Sequence, residues 1–136
     1  MLDVENYIYT QVTNALPTVD SSSVFIPNPE KSPHLYFTEL NRTTHTPYIS
    51  TDRIDNAEEI TFEAQVTSAK KDKAKSECKA IMDSVDNVMY GMRFQLIYSQ
   101  YIPEVDRTKY RLVHRYRGVV RGYINGATKK FSVVPR

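Results

Sequence analysis

The chain has no tryptophan, one cysteine, three histidines and only four glycines in 136 residues. Each shortage excludes something. A lone Cys78 rules out a disulfide framework within the chain. His34, His45 and His114 are far apart, with no His-x-x-x-His or Cys-x-x-Cys spacing to ligate a metal. Gly91, Gly118, Gly122 and Gly126 form no phosphate loop, dinucleotide fingerprint or Gly-x-Ser-x-Gly elbow, and each fits a cap, bulge or turn instead. The adjacent Glu58 and Glu59 would diverge on a strand, so they cannot act as a facing pair of carboxylates. No catalytic set, metal site or cofactor is expected, and an enzyme is not.

Long apolar runs are also missing: none approaches the roughly 20 residues a bilayer-spanning helix needs. The opening MLDVENYIYT carries acids where a secretion signal needs positive charge followed by an apolar block. A soluble protein made in a reducing compartment is the expectation, which leaves the acceptor-like Asn41-Arg42-Thr43 without a glycan. Acid is absent from the last part of the chain. Residues 1–106 hold nine Lys and Arg against all sixteen Asp and Glu, a net of −7; residues 107–136 hold nine Lys and Arg and no acid, a net of +9. Such a division points to an anionic partner, to acidic and basic parts packing within one fold, or to head-to-tail contact between copies.

What is present is tyrosine, ten of them beside five phenylalanines. An apolar ring with a polar tip suits half-buried sheet faces and interfaces. In residues 2–16, Leu2, Val4, Ile8, Val12 and Leu16 recur close to helical spacing, predicting an amphipathic helix ended by Pro17. Ser21-Ser22-Ser23 predicts a turn and Val24-Phe25-Ile26 a short strand, stopped by Pro27 and Pro29. HLYFTELNR (34–42) reads as a strand with Leu35, Phe37 and Glu39 on one face. NRTTHTPYISTDRIDN (41–56) reads as a polar, aromatic arm. Ile60, Phe62, Ala64 and Val66 alternate with polar residues as a half-buried strand does.

The clearest element is a long helix over 68–91, where Ala74, Cys78, Ile81, Met82, Val85, Val88 and Met89 form one apolar stripe. Gly91 is expected as its left-handed cap, and Thr67 or Ser68 as its start, despite Lys70, Lys71 and Lys73 opposing the dipole. Strands follow at 93–101 and 110–121, and Asn125-Gly126 predicts a hairpin turn. The whole is an α+β fold, mainly antiparallel, with the N-terminal amphipathic helix and the long helix packed on one face of the sheet. Residues 1–136 read as a single domain, with 123–136 an extra C-terminal hairpin or arm.

The strand YRLVHRYRGVVRG (110–122) sorts its side chains sharply. Tyr110, Leu112, His114, Tyr116 and Val120 fall on one face. Arg111, Val113, Arg115, Arg117, Val119 and Arg121 fall on the other. The arginine face suits a solvated surface, phosphate contact or a seam with another subunit. Tyr116 lies opposite the arginines, which disfavours a base-stacking platform.

In layout the chain resembles the tail terminator (tail completion) proteins of long-tailed bacteriophages. The helix MLDVENYIYTQVTNAL leads to a short strand and an extended arm; ITFEAQV feeds the helix AKSECKAIMDSVDNV; FQLIYSQYIPEVD and YRLVHRYRGVV close the pattern. The resemblance implies a virion protein, assembled in the host cytoplasm, that forms a ring of typically six copies. Such a ring caps the tail tube, stops its polymerisation and offers a surface to the head-completion or connector protein. It implies, as partners, further copies of the chain, the tube protein and DNA passing through non-specifically, with no membrane. Arg111, Arg115, Arg117 and Arg121 would then form the channel or intersubunit basic surface, and Tyr48, Asp52 and Arg53 the contact arm. The alternatives are another head–tail connector or head-closure protein and a monomeric nucleic-acid-binding module.

Overall fold

In the computed structural model, residues 4–24, 32–44, 57–69, 73–103, 109–125 and 128–133 are described. The elements run α1 (Glu5–Asn14), β1 (Asp20–Ser22), β2 (His34–Thr44), β3 (Ala57–Ser68), α2 (Ala74–Gly91), β4 (Gln95–Pro103), β5 (Tyr110–Asn125) and β6 (Thr128–Val133). The strands form one sheet in the order β1-β2-β3-β5-β4, and β6 pairs with the far half of β5. Every pairing is antiparallel except the parallel β1–β2 contact. The α+β architecture read from the sequence is therefore the one observed.

Both helices pack on one face of the sheet. α1 contributes Ile8 and Val12, and α2 contributes Cys78, Ile81, Met82, Val85 and Met89. They meet Leu35 and Phe37 of β2, Ile60, Phe62, Ala64 and Val66 of β3, and Leu112, Tyr116 and Val120 of β5, all buried in one cluster. These are the alternate positions of each strand, so the period of two in the sequence translates directly into a buried face. Phe62 anchors the centre: its ring stacks on Phe37 at 5.3 Å and meets Phe94 edge-on at 5.6 Å.

Two local expectations are corrected. The serines at 21 and 22 belong to β1, and Val24 of the expected 24–26 strand lies beyond its end, exposed. Pairing with β2 is confined to the three positions that meet His34, Leu35 and Tyr36. Ser68 ends β3 rather than capping α2; its hydroxyl instead donates to the Glu77 carboxylate at 2.7 Å, one turn into the helix. Lys73 holds the cap position without a side-chain bond.

The helix end is also different from the expected glycine cap. Gly91 closes the last turn of α2, and the left-handed residue is Arg93, at φ 70°. Arg93 N–H donates to the Tyr90 carbonyl at 2.9 Å and Phe94 N–H to the Met89 carbonyl at 3.0 Å. This is the Schellman arrangement, completed by the apolar residues Phe94 and Met89, both buried. The glycine that matters is elsewhere. A Cβ on Gly118 would come within 2.7 Å of the Phe94 ring, so β5 needs glycine there for Phe94 to lie flat against it.

Two substitutions test this corner. Arg93→Gly relieves the left-handed strain and is expected to raise stability in urea denaturation by about 1 kcal/mol. Gly118→Ala forces the Phe94 ring aside and is expected to lower it by about 1–3 kcal/mol.

Candidate interaction surface

The face of the sheet turned away from the helices carries the arginines. β5 lies between β3 and β4, and its register with β3 sets Arg111 against Thr67, Arg115 against Glu63, Arg117 against Thr61 and Arg121 against Ala57. Arg115 Nε donates to Glu63 Oε2 at 3.0 Å, directly across the strands, and Arg117 Nε approaches Glu59 Oε1 at 3.6 Å. The Arg115 guanidinium also lies 4.7 Å from the centre of the Tyr98 ring on β4. Acids from the negative part of the chain thus neutralise two arginines of the positive part. The charge division seen in the sequence is closed, at these two positions, within the chain itself.

The surface remains mixed rather than hidden. The Arg115 and Arg117 side chains are about 40% exposed, while the Glu63 carboxylate beneath is 8% exposed. Val113 and Val119, on the same face, are buried, consistent with arginine stems lying along the sheet. Arg111 is half-buried. The Arg121 side chain lies outside the described residues, as do Tyr48, Asp52 and Arg53 of the arm. Glu58 and Glu59 diverge as expected: Glu58 binds Arg42 at 2.6 Å, within a group completed by Glu39, while Glu59 faces Arg117.

Sequence reasoning missed two clusters around histidine. His114 Nδ1 is 2.9 Å from Asp86 Oδ1 on α2, and His114 Nε2 is 2.8 Å from Ser99 Oγ on β4. The Tyr116 hydroxyl donates to the same Asp86 oxygen at 2.5 Å. Burial, helped by that bond to a carboxylate, pushes the Tyr116 phenol well above its ordinary range. At the other side of the sheet, His34 Nδ1 is 2.8 Å from Asp20 Oδ2 and His34 Nε2 is 3.0 Å from Ser22 Oγ. Nothing in the sequence signals these sets. Their hydrogen-bonded partners are 12 to 30 residues apart and meet through strand register and helix placement.

Cys78 sits in the core, its thiol 3.4–3.5 Å from the Tyr110 and Val66 carbonyls. Burial, with the Glu77 carboxylate adding to it, pushes the thiol up to about 12. Among the described residues no group of three His, Cys, Asp or Glu could hold a metal ion, and no helix is long and apolar enough to cross a membrane.

No family model matches the chain, and no curated protein matches it in sequence. The fold, however, is shared. A chain in a structure described as the virion of a native gene transfer agent (GTA) particle superposes with a TM-score of 0.57 at 13% identity, over 85% of this chain and 92% of that one.

The arginine ladder and the core thiol each make an expectation. Arg115→Ala removes the cation from the buried Glu63 carboxylate and leaves it the Gln65 amide, and should cost about 1–2 kcal/mol in denaturant titration, whereas Arg117→Ala, at a longer and more exposed pair, should cost less than about 1 kcal/mol. Cys78 should stay unreactive toward a disulfide reagent at neutral pH in the native protein and react fully once it is unfolded.

Proposed function

We propose that the chain is a structural virion protein that forms a ring on the end of a phage-type tail tube. The observation that carries this reading is the extent of the structural likeness. It spans nearly the whole of a chain from a virion particle, with no large part of either left over. The layout of the sequence, with its helix, arm, long helix and arginine-rich closing strand, supports the finer assignment to tail termination.

The mechanism is steric. A ring seated on the tube end occupies the surface to which the next tube subunit would add, and its outer face becomes the platform for the head-side protein. No catalysis is called for. Closing a ring takes a head-to-tail interface whose two patches differ yet complement each other. The open sheet face, with Arg111, Arg115, Arg117 and Arg121, serves as one patch or lines the channel, and Tyr48, Asp52 and Arg53 reach the neighbour or tube. Because Glu63 and Glu59 temper Arg115 and Arg117, any DNA contact on this face is weak and salt-sensitive, which suits a channel that DNA must leave.

Adding the purified protein to polymerising tube protein is the test. Short tubes capped at one end by a ring of density in negative stain are expected. Tube lengths that do not change, with the folded protein never found on a tube end, would leave the connector or nucleic-acid-binding alternatives.

A further inference from the structure

We propose that Ser99 is a reactive serine, activated by His114 and oriented through Asp86, that attacks small apolar acyl and phosphonyl esters. Three groups stand in the relation that serine nucleophiles require: hydroxyl to imidazole Nε2 at 2.8 Å, imidazole Nδ1 to carboxylate at 2.9 Å. The fold holds this line rigidly. Ser99 and His114 are direct cross-strand partners of β4 and β5, and Asp86 reaches down from α2. The Tyr116 hydroxyl fixes the Asp86 oxygen that faces the imidazole. The Asp86 bond sets the proton of a neutral His114 on Nδ1 and leaves Nε2 free to accept.

The second cluster serves as an internal comparison. Ser22, His34 and Asp20 have nearly the same distances, but the Ser22 hydroxyl donates to the Val24 carbonyl at 2.8 Å. Its single proton is directed to that carbonyl and away from the imidazole, so Ser22 is not poised to lose it to His34. The Ser99 hydroxyl has no such rival: among the described residues His114 is its one partner. Ser99 is also exposed on the outer strand of the sheet, whereas His114 behind it is buried.

The surroundings choose the class of substrate. Tyr101, exposed and on the same face as Ser99, sets an aromatic ring beside the hydroxyl, and the exposed Ile97 at the β4 bulge adds apolar surface to the same strand. Tyr101 is braced by stacking on Tyr110 at 4.2 Å. No charged residue occurs anywhere in Gln95–Pro103, so an uncharged ester meets no competing ion there. With a fluorophosphonate, Ser99 Oγ attacks phosphorus and an O–P bond forms. The P–F bond breaks, fluoride leaves, and the hydroxyl proton passes to His114 Nε2. With an aryl ester, Oγ attacks the carbonyl carbon, the phenol departs with the proton returned by His114, and water later cleaves the acyl-serine.

Incubation with an alkyl fluorophosphonate, read by intact mass and peptide mapping, is the test. One adduct on Ser99 is expected, at least tenfold faster in the native protein than in urea. It should be absent in Ser99→Ala, unchanged in Ser22→Ala, and at least tenfold slower in His114→Gln and Asp86→Asn. p-Nitrophenyl butyrate should release about one equivalent of phenol in a burst that Ser99→Ala abolishes. The proposal is overturned if native protein gives no Ser99 adduct, or labels Ser99 no faster than unfolded protein. It is equally overturned if a folded His114→Gln labels at the wild-type rate. Should His114→Gln not fold, the native-against-urea comparison decides alone. None of these readings depends on whether the protein caps a tube.

Discussion

The alternation of β5, locked in register against β3, is the constraint on which the rest of this structure depends. Twelve consecutive Cα pairs, from Ala57↔Arg121 to Ser68↔Tyr110, hold the two strands together without a bulge. A slip of one residue would carry Leu112, His114 and Tyr116 to the outer face and drive arginines into the helices. The hydrophobic cost of that exchange, with several guanidinium groups losing water, makes the observed register the one compatible with a core.

From that register the two faces acquire different chemistry. Toward the helices, Tyr116 and His114 converge on a single carboxylate, Asp86, so a polar knot sits at the edge of an otherwise apolar layer. Away from them, Arg115 and Arg117 meet Glu63 and Glu59 in a ladder that is well formed at one rung and looser at the next. The acids fix the arginines in place without hiding them: both guanidinium side chains remain about 40% exposed, so the face stays patterned and open to solvent.

Much of this was legible from residue order. The stripe of Cys78, Ile81, Met82, Val85 and Met89 announced α2, and the alternations at 60–66 and 110–120 announced β3 and β5, because burial of one face imposes its period on the sequence. Less legible were the ends of elements. Gly91 looked like the helix stop, yet the chain goes on to Arg93 before turning left-handed, because Phe94 must reach back over Met89 and lie on Gly118. Ser21 and Ser22 looked like a turn, yet a parallel partner in β2 draws them into the sheet. In both cases a tertiary contact outweighed a local preference of about 1 kcal/mol.

The sequence by itself determined the class of fold, the sorting of β5 into an aromatic and an arginine face, and the separation of acid from base along the chain. These follow from periodicity and composition, which are local. Only the tertiary structure decided which acid meets which arginine, and that Ser99, His114 and Asp86 form one hydrogen-bonded line while Ser22 spends its proton elsewhere. Those facts depend on register and on the seating of a helix, which bring together residues that no spacing rule connects.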